Sequence, residues 1–149
     1  MRLSIYQPDI PQNTGTILRM SACLGVPVDV IGPAGFDLSD RALRRSAMDY
    51  LALTDLTRHL SWDHFRERMI QEGRRIVLLT TAADTSYTAF DFRDSDCLLL
   101  GRESAGVPDS VHRQVDASVK IQMQPGLRSL NIAVAAAMVL GEGLRQTRW

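Results

Sequence analysis

Two uninterrupted apolar runs, "RIVLLTT" at Arg75–Thr81 and "CLLLG" at Cys97–Gly101, constrain this chain more than any other feature. Each is short, shows no alternation and stops on small or polar residues, as strands covered on both faces do. Such strands need helices on both sides of a parallel sheet, and strand-like and helical segments alternate along the chain. "LSIYQ" at Leu3–Gln7 reads as a first strand, ended by Pro8 and Pro11, and "VDVIG" at Val28–Gly32 as a second. Between them, Asn13 or Thr14 is expected to cap a helix running to Cys23 or Leu24, with Gly25 as its stop. Ile17, Leu18, Cys23 and Leu24 would supply its buried side. Ser39 or Asp40 is expected to open a short basic helix, "DRALRRSA", followed by a third strand, "LALTDL". "SWDHFRERMIQEG" is an amphipathic helix capped by Ser61 and stopped by Gly73, and "SVKIQM" is expected as the last strand. The fold class is therefore α/β, a mostly parallel sheet sandwiched by helices. With no linker, repeat or low-complexity segment, residues 1–149 read as a single domain.

At 149 residues the chain can bury a core without disulfide or metal staples. Its 17 basic and 17 acidic residues cancel, which argues against a non-specific nucleic-acid coat but not against a local basic patch. Among the basic residues only Lys120 is a lysine, and arginine favours bidentate contact with phosphate or carboxylate. Cys23 and Cys97 lie far apart without a CxxC and are expected to be reduced and buried. His59, His64 and His112 lack metal-ligand spacing and are expected on the solvated surface, so no metal site is assigned. "MRLSIYQPDIPQN" turns polar too soon for a secretory signal, and the longest apolar run, Ile132–Leu140, is too short to span a bilayer. A soluble cytoplasmic chain without a membrane partner is expected.

In a parallel sheet, ligands sit beyond the carboxyl ends of the strands. That rule selects Thr80–Thr81, Gly101–Glu103 and Met123–Arg128, each polar or glycine-rich where a strand stops. "NTGTILR" at Asn13–Arg19 sets Arg19 on a helix, either as a solvated cation or as one aimed at an anionic substrate. "LGRESAGVP" places two glycines around Glu103, either as a tight solvated turn or as a loop whose backbone approaches a ligand. "PGLRSLN" leads into a final helix rich in Ala and Gly, with Ser129 as its candidate cap. No GxGxxG follows a strand and no serine sits in a GxSxG elbow, so neither a Rossmann dinucleotide site nor a hydrolase elbow has support.

Taken in order, Asn13–Arg19 (N-x-G-x-I-x-R), Gly101–Gly106 (G-x-E-x-x-G) and Ser129–Asn131 (S-L-N opening an apolar helix) resemble the motifs of the SPOUT class of RNA methyltransferases. "YQPDIPQNTGTILRMSACLG", "GPAGFDLSDRALRRSAMDY" and "LTT" are similar to its TrmL (YibK-like) subgroup, and the likeness covers nearly the whole length. The resemblance implies a deep C-terminal trefoil knot, an exception to the rule against threaded loops. It also implies a homodimer in which the first and last helices pack across the interface. The implied cofactor is S-adenosyl-L-methionine, with S-adenosyl-L-homocysteine as product and no metal. Its contacts would fall on Leu79, Thr80, Gly101, Glu103, Ile121, Met123, Ser129 and Leu130.

The implied reaction is methylation of the ribose 2′-hydroxyl at the wobble nucleotide, position 34, of leucine tRNAs; no DNA partner is expected. Arg19, Asn131 and Glu103 become the candidate catalytic residues. With a pKa above ~12 a guanidinium is a poor base, so Arg19 would stay charged and stabilise developing alkoxide or hold a phosphate. Asn131 would orient Arg19 or the ribose, and Glu103 would pair with an arginine. Arg41, Arg44, Arg45 and Arg128 are the candidates for tRNA phosphates. Another tRNA site, rRNA, and a non-catalytic knotted RNA- or nucleotide-binding dimer are the rival readings. One departure stands out: Gly141 precedes Glu142 in the last helix, where related sequences often carry an aromatic.

Overall fold

A computed structural model describes residues 1–37 and 41–149. Among them six strands form one sheet: β1 (Arg2–Tyr6), β2 (Val28–Ile31), β3 (Leu56–His59), β4 (Ile76–Leu79), β5 (Cys97–Leu100) and β6 (Ala117–Val119). Their order is β3-β2-β1-β5-β4-β6, and every pairing is parallel. The helices are α1 (Pro11–Leu24), α2 (Arg41–Ala47), α3 (Trp62–Gln71), α4 (Asp109–His112) and α5 (Ile132–Thr147). No helix among the described residues is long and apolar enough to cross a membrane.

The two apolar runs become β4 and β5, and both are buried as a doubly covered sheet requires. On one face Leu3, Ile5, Val28, Val77, Leu98 and Leu100 pack under α1 and α5. On the other, Tyr6, Ile31, Ile76, Leu78 and Leu99 pack under Phe65 and Met69 of α3 and Val111 of α4. The second face also buries charge. Arg2 donates to Asp29 through Nε at 2.8 Å and Nη2 at 3.2 Å, and His59 Nε2 lies 2.7 Å from Asp29 Oδ1. Beside this group Cys97 meets Ser4, and burial pushes its thiol up to about 12, so it stays protonated.

Several expectations change here. His59 is buried at 3% exposure rather than solvated, because its carboxylate partner lies one strand away. Cys23 is exposed, on the outer side of α1. "LALTDL" is not a strand: Met48–Leu53 is a 3-10 helix, closed where the Thr54 hydroxyl donates to the Tyr50 carbonyl at 2.8 Å, and β3 begins only at Leu56. The last strand stops at Val119, and Lys120 bonds instead to the backbone of Thr85 and Tyr87, which frees Ile121–Met123 from the sheet. Ser61 caps α3 by accepting from the His64 amide, and Gly73 follows its end at φ 63°, both as expected. The predicted opening of α2 at Ser39 or Asp40 lies outside the described residues.

The starts of α1 and α5 both depart from their expected caps. α1 starts at Pro11, whose fixed φ suits a first helical position, with no side-chain cap at Ile10. Asn13 is committed elsewhere. α5 is capped by Asn131, not Ser129, with its Oδ1 accepting from the amides of Ala133 at 2.9 Å and Val134 at 3.4 Å.

Candidate functional site

Beyond the carboxyl ends of β4, β5 and β6, three loops close on a cavity of about 680 Å³. Leu79 at the end of β4 and Thr80 in the first loop, Gly101 and Glu103 in the second, and Ile121, Met123, Ser129 and Leu130 in the third all line it. Asn131 joins them at the mouth of α5, with Asn13 from α1 and His112 from α4. Leu78, Leu100 and Ile132 make its floor apolar.

The second loop is a closed device. Arg102 and Gly106 exchange backbone hydrogen bonds, N–H to O at 2.9 and 2.8 Å, with Gly106 at φ 67°. A Cβ on Gly101 would stand 2.7 Å from the Gly106 Cα, so the paired glycines are a steric requirement. Because the clash is with backbone, Gly101→Ala is expected to cost about 1–3 kcal/mol. A thermal melt should fall by about 3–10 °C; an unchanged melt would mean that the loop opens freely.

A chain of hydrogen bonds ties the three sequence motifs together. The Glu103 carboxylate accepts from the Asp9 amide at 2.9 Å and from Asn13 Nδ2 at 3.2 Å. Asn13 Oδ1 in turn accepts from Asn131 Nδ2 at 2.9 Å, while the other end of that amide caps α5. Glu103 therefore pairs with two amides, which corrects the sequence expectation that it would pair with an arginine. The arginine beside it, Arg102, donates instead to Asp9 at 2.6 Å, and Ser104 adds its amide and hydroxyl. Those bonds, Arg102 first, hold the Asp9 carboxyl down to about 2, so it is ionised at neutral pH.

Arg19 does not line this cavity. It lies about 9 Å along α1 from Asn13 and sits on the exposed stripe Gln12, Thr16, Arg19, Cys23. Its Nη1 donates to Met48 Sδ at 3.1 Å, and its guanidinium carbon is 5.4 Å from the centre of the Tyr50 ring. Asn131 orients Asn13 rather than Arg19. Arg41 and Arg45 border a separate open hollow with Gln12 and Ser46, whereas Arg44 and Arg128 are exposed and border neither. Sequence reasoning missed Asn13, whose place in "NTG" was read as a cap, and the Asp9–Arg102 pair, which no spacing signals.

The model of the SpoU rRNA Methylase family matches residues 1–141. The chain belongs to that family. Among SpoU-family relatives, the tRNA (cytidine(34)-2'-O)-methyltransferase of Beijerinckia indica subsp. indica is 60% identical over 144 residues, covering 97% of this chain and 90% of that protein. The protein of the same name from Escherichia coli K12 is 36% identical, over 98% of this chain and 93% of its own length. A solved structure giving insights into the 2-OH methylation of C/U34 on tRNA matches with a TM-score of 0.92 at 39% identity, over 97% of this chain and 94% of that one. The SpoU methyltransferase AviRb from Streptomyces viridochromogenes, in complex with the cofactor AdoMet, matches with a TM-score of 0.91 at 28% identity. That match spans 98% of this chain and 60% of AviRb.

Proposed function

We propose that this SpoU-family chain transfers a methyl group from S-adenosyl-L-methionine to the ribose 2′-hydroxyl of cytidine or uridine at position 34 of tRNA, with leucine tRNAs as substrates, in the cytoplasm. The observation that carries this reading is the Glu103–Asn13–Asn131 chain, which ties the loop after β5 to α1 and to the mouth of α5 at one cavity. The names of the relatives at 60% and 36% identity support the substrate. The trefoil knot of the class belongs to the same reading and is supported by likeness to solved SpoU structures.

The cavity suits such a cofactor. Its volume is that of a small-ligand site, its floor of Leu78, Leu100 and Ile132 is apolar, and Thr80, Glu103 and Ser129 give it polar walls. When bound, S-adenosyl-L-methionine supplies an activated methyl group on a sulfonium, leaving as the neutral thioether S-adenosyl-L-homocysteine. Gly101, Glu103, Ile121, Met123, Ser129 and Leu130, with Leu79 and Thr80, would hold it, and Asn13 and Asn131 lock the loops around it. Positioning of this kind supplies much of a two-substrate rate. Arg19 stays charged and either stabilises the developing ribose alkoxide as the proton passes to water or holds a phosphate that accepts that proton, while Arg41, Arg44, Arg45 and Arg128 take tRNA phosphates.

The same reading makes the chain a homodimer through α1 and α5. Val134 and Met138, one turn apart on α5, are 50% and 38% exposed, a stripe that a second copy of this chain would cover. In that arrangement Arg19, turned from its own cavity, faces an acceptor bound at the partner's. Sedimentation should give about twice the 16.6 kDa of one chain, and Val134→Glu with Met138→Glu should halve it. Monomeric parent protein would refute the dimer. The activity is tested by titrating S-adenosyl-L-methionine calorimetrically and following labelled methyl into purified tRNA and rRNA. Label in tRNA alone supports the reading; label in rRNA moves the substrate within the family; cofactor binding without any transfer leaves the rival binding module.

A further inference from the structure

From its surroundings, we infer that Tyr50 and Met48 form a carboxylate-free holder that fixes the direction of the Arg19 guanidinium while leaving its charge uncompensated. They are positioning residues for the transfer; the inference rests on the proposed catalytic part of Arg19.

Where an arginine of this chain is held in place by a side chain, the holder is usually a carboxylate: Arg2 by Asp29, Arg75 by Asp96, Arg102 by Asp9 and Arg145 by Glu142. Each of those charges is spent on its partner. Arg19 differs. Among the described residues its recorded contacts are a thioether acceptor at 3.1 Å and an aromatic face at 5.4 Å. A ring face and a sulfur both favour a guanidinium, and neither neutralises it. A guanidinium so held can still meet an anionic oxygen without first giving up a carboxylate.

The holder is built, not incidental. Gly15, one turn before Arg19, lets α2 come so close that a Cβ there would meet Ser46 Cβ at 2.6 Å, the Leu43 carbonyl at 2.8 Å and the Ala47 amide at 2.9 Å. This approach sets the end of α2 against α1. Met48 then turns the chain at φ 52°, a left-handed backbone that a side chain of its size rarely takes. The Thr54 hydroxyl reaches both the Tyr50 carbonyl at 2.8 Å and the Leu18 carbonyl at 3.3 Å, which fastens the Tyr50 segment to the residue before Arg19. Met48 is nevertheless 53% exposed, so burial of its side chain does not explain the unusual backbone.

The test uses the full-length protein, methyl-labelled S-adenosyl-L-methionine and tRNA lacking ribose methylation at position 34. Loss of the ring in Tyr50→Leu should lower kcat about tenfold, with cofactor affinity unchanged, and Tyr50→Phe, which keeps the ring, should restore parental kcat. Met48→Gly relieves the left-handed backbone, so its melting temperature should not fall, yet kcat should drop about threefold with the lost acceptor. A purely structural role predicts the opposite coupling, with rate following stability. Should Tyr50→Leu fail to fold, Met48→Gly decides alone. Parental kcat in the folded variants, beside an inactive Arg19→Ala, would overturn the holder and leave the catalytic reading intact. Full activity in Arg19→Ala would instead overturn the catalytic reading itself, and the holder with it.

Discussion

Arg19→Ala is expected to lower methyl transfer by about 10²–10³-fold, the effect of removing one group that stabilises a developing oxyanion. Affinity for S-adenosyl-L-methionine should not change, because Arg19 lies outside the cavity wall formed by Leu79, Gly101, Met123 and Leu130. Arg19→Lys keeps the charge but loses the planar fork that faces Tyr50 and Met48. It should recover only part of the rate. Single-turnover transfer alongside calorimetric cofactor binding separates the two effects. Loss of binding together with transfer would place Arg19 in the cofactor site, against the geometry. No loss of either would remove it from the chemistry.

The largest expected effect on stability lies on the opposite face of the sheet. Asp29 is fully buried and is the shared partner of Arg2 and His59, so Asp29→Ala leaves a guanidinium without its counter-charge and an imidazole without its hydrogen-bond partner. Among the described residues His59 Nδ1 has no hydrogen-bond partner, so once Asp29 is gone neither ring nitrogen keeps one. Removing one member of a buried ion pair costs about 3–5 kcal/mol. For a chain of this size the melting temperature should drop by about 6–20 °C. Cofactor affinity of the folded fraction should persist, because the strand tips lie elsewhere. A melt within a degree or two of the parent would show that water reaches this group.

What could be read from sequence followed from local chemistry. "RIVLL" and "CLLL" are central strands because uninterrupted apolar side chains need cover on both faces. The loops after them are a site because glycine and polar residues at strand ends leave room there. Thr80, Gly101, Glu103 and Met123 of the cavity wall followed from that rule, whereas Leu79, Ile121, Ser129 and Leu130 came only from the family resemblance. What could not be read depended on partners far along the chain. His59 looked like a surface residue until β3 paired with β2 and brought it to Asp29. Asn13 looked like a helix cap, since nothing in "QNTG" shows that Glu103, 90 residues on, takes its amide. "LALTDL" looked like a strand, but Thr54 closes a 3-10 helix there and ties it to α1. The direction in which Arg19 points was equally hidden, because it is set by Gly15, Met48 and Tyr50 together.

The central claim is the position of the methyl group. Purified protein, methyl-labelled S-adenosyl-L-methionine and tRNA from cells lacking ribose methylation at the wobble position should give labelled 2′-O-methylcytidine or 2′-O-methyluridine. Nuclease fragments analysed by mass spectrometry should place that label at nucleotide 34 of leucine tRNAs. Label at any other nucleotide, or label confined to rRNA, would contradict the proposed substrate.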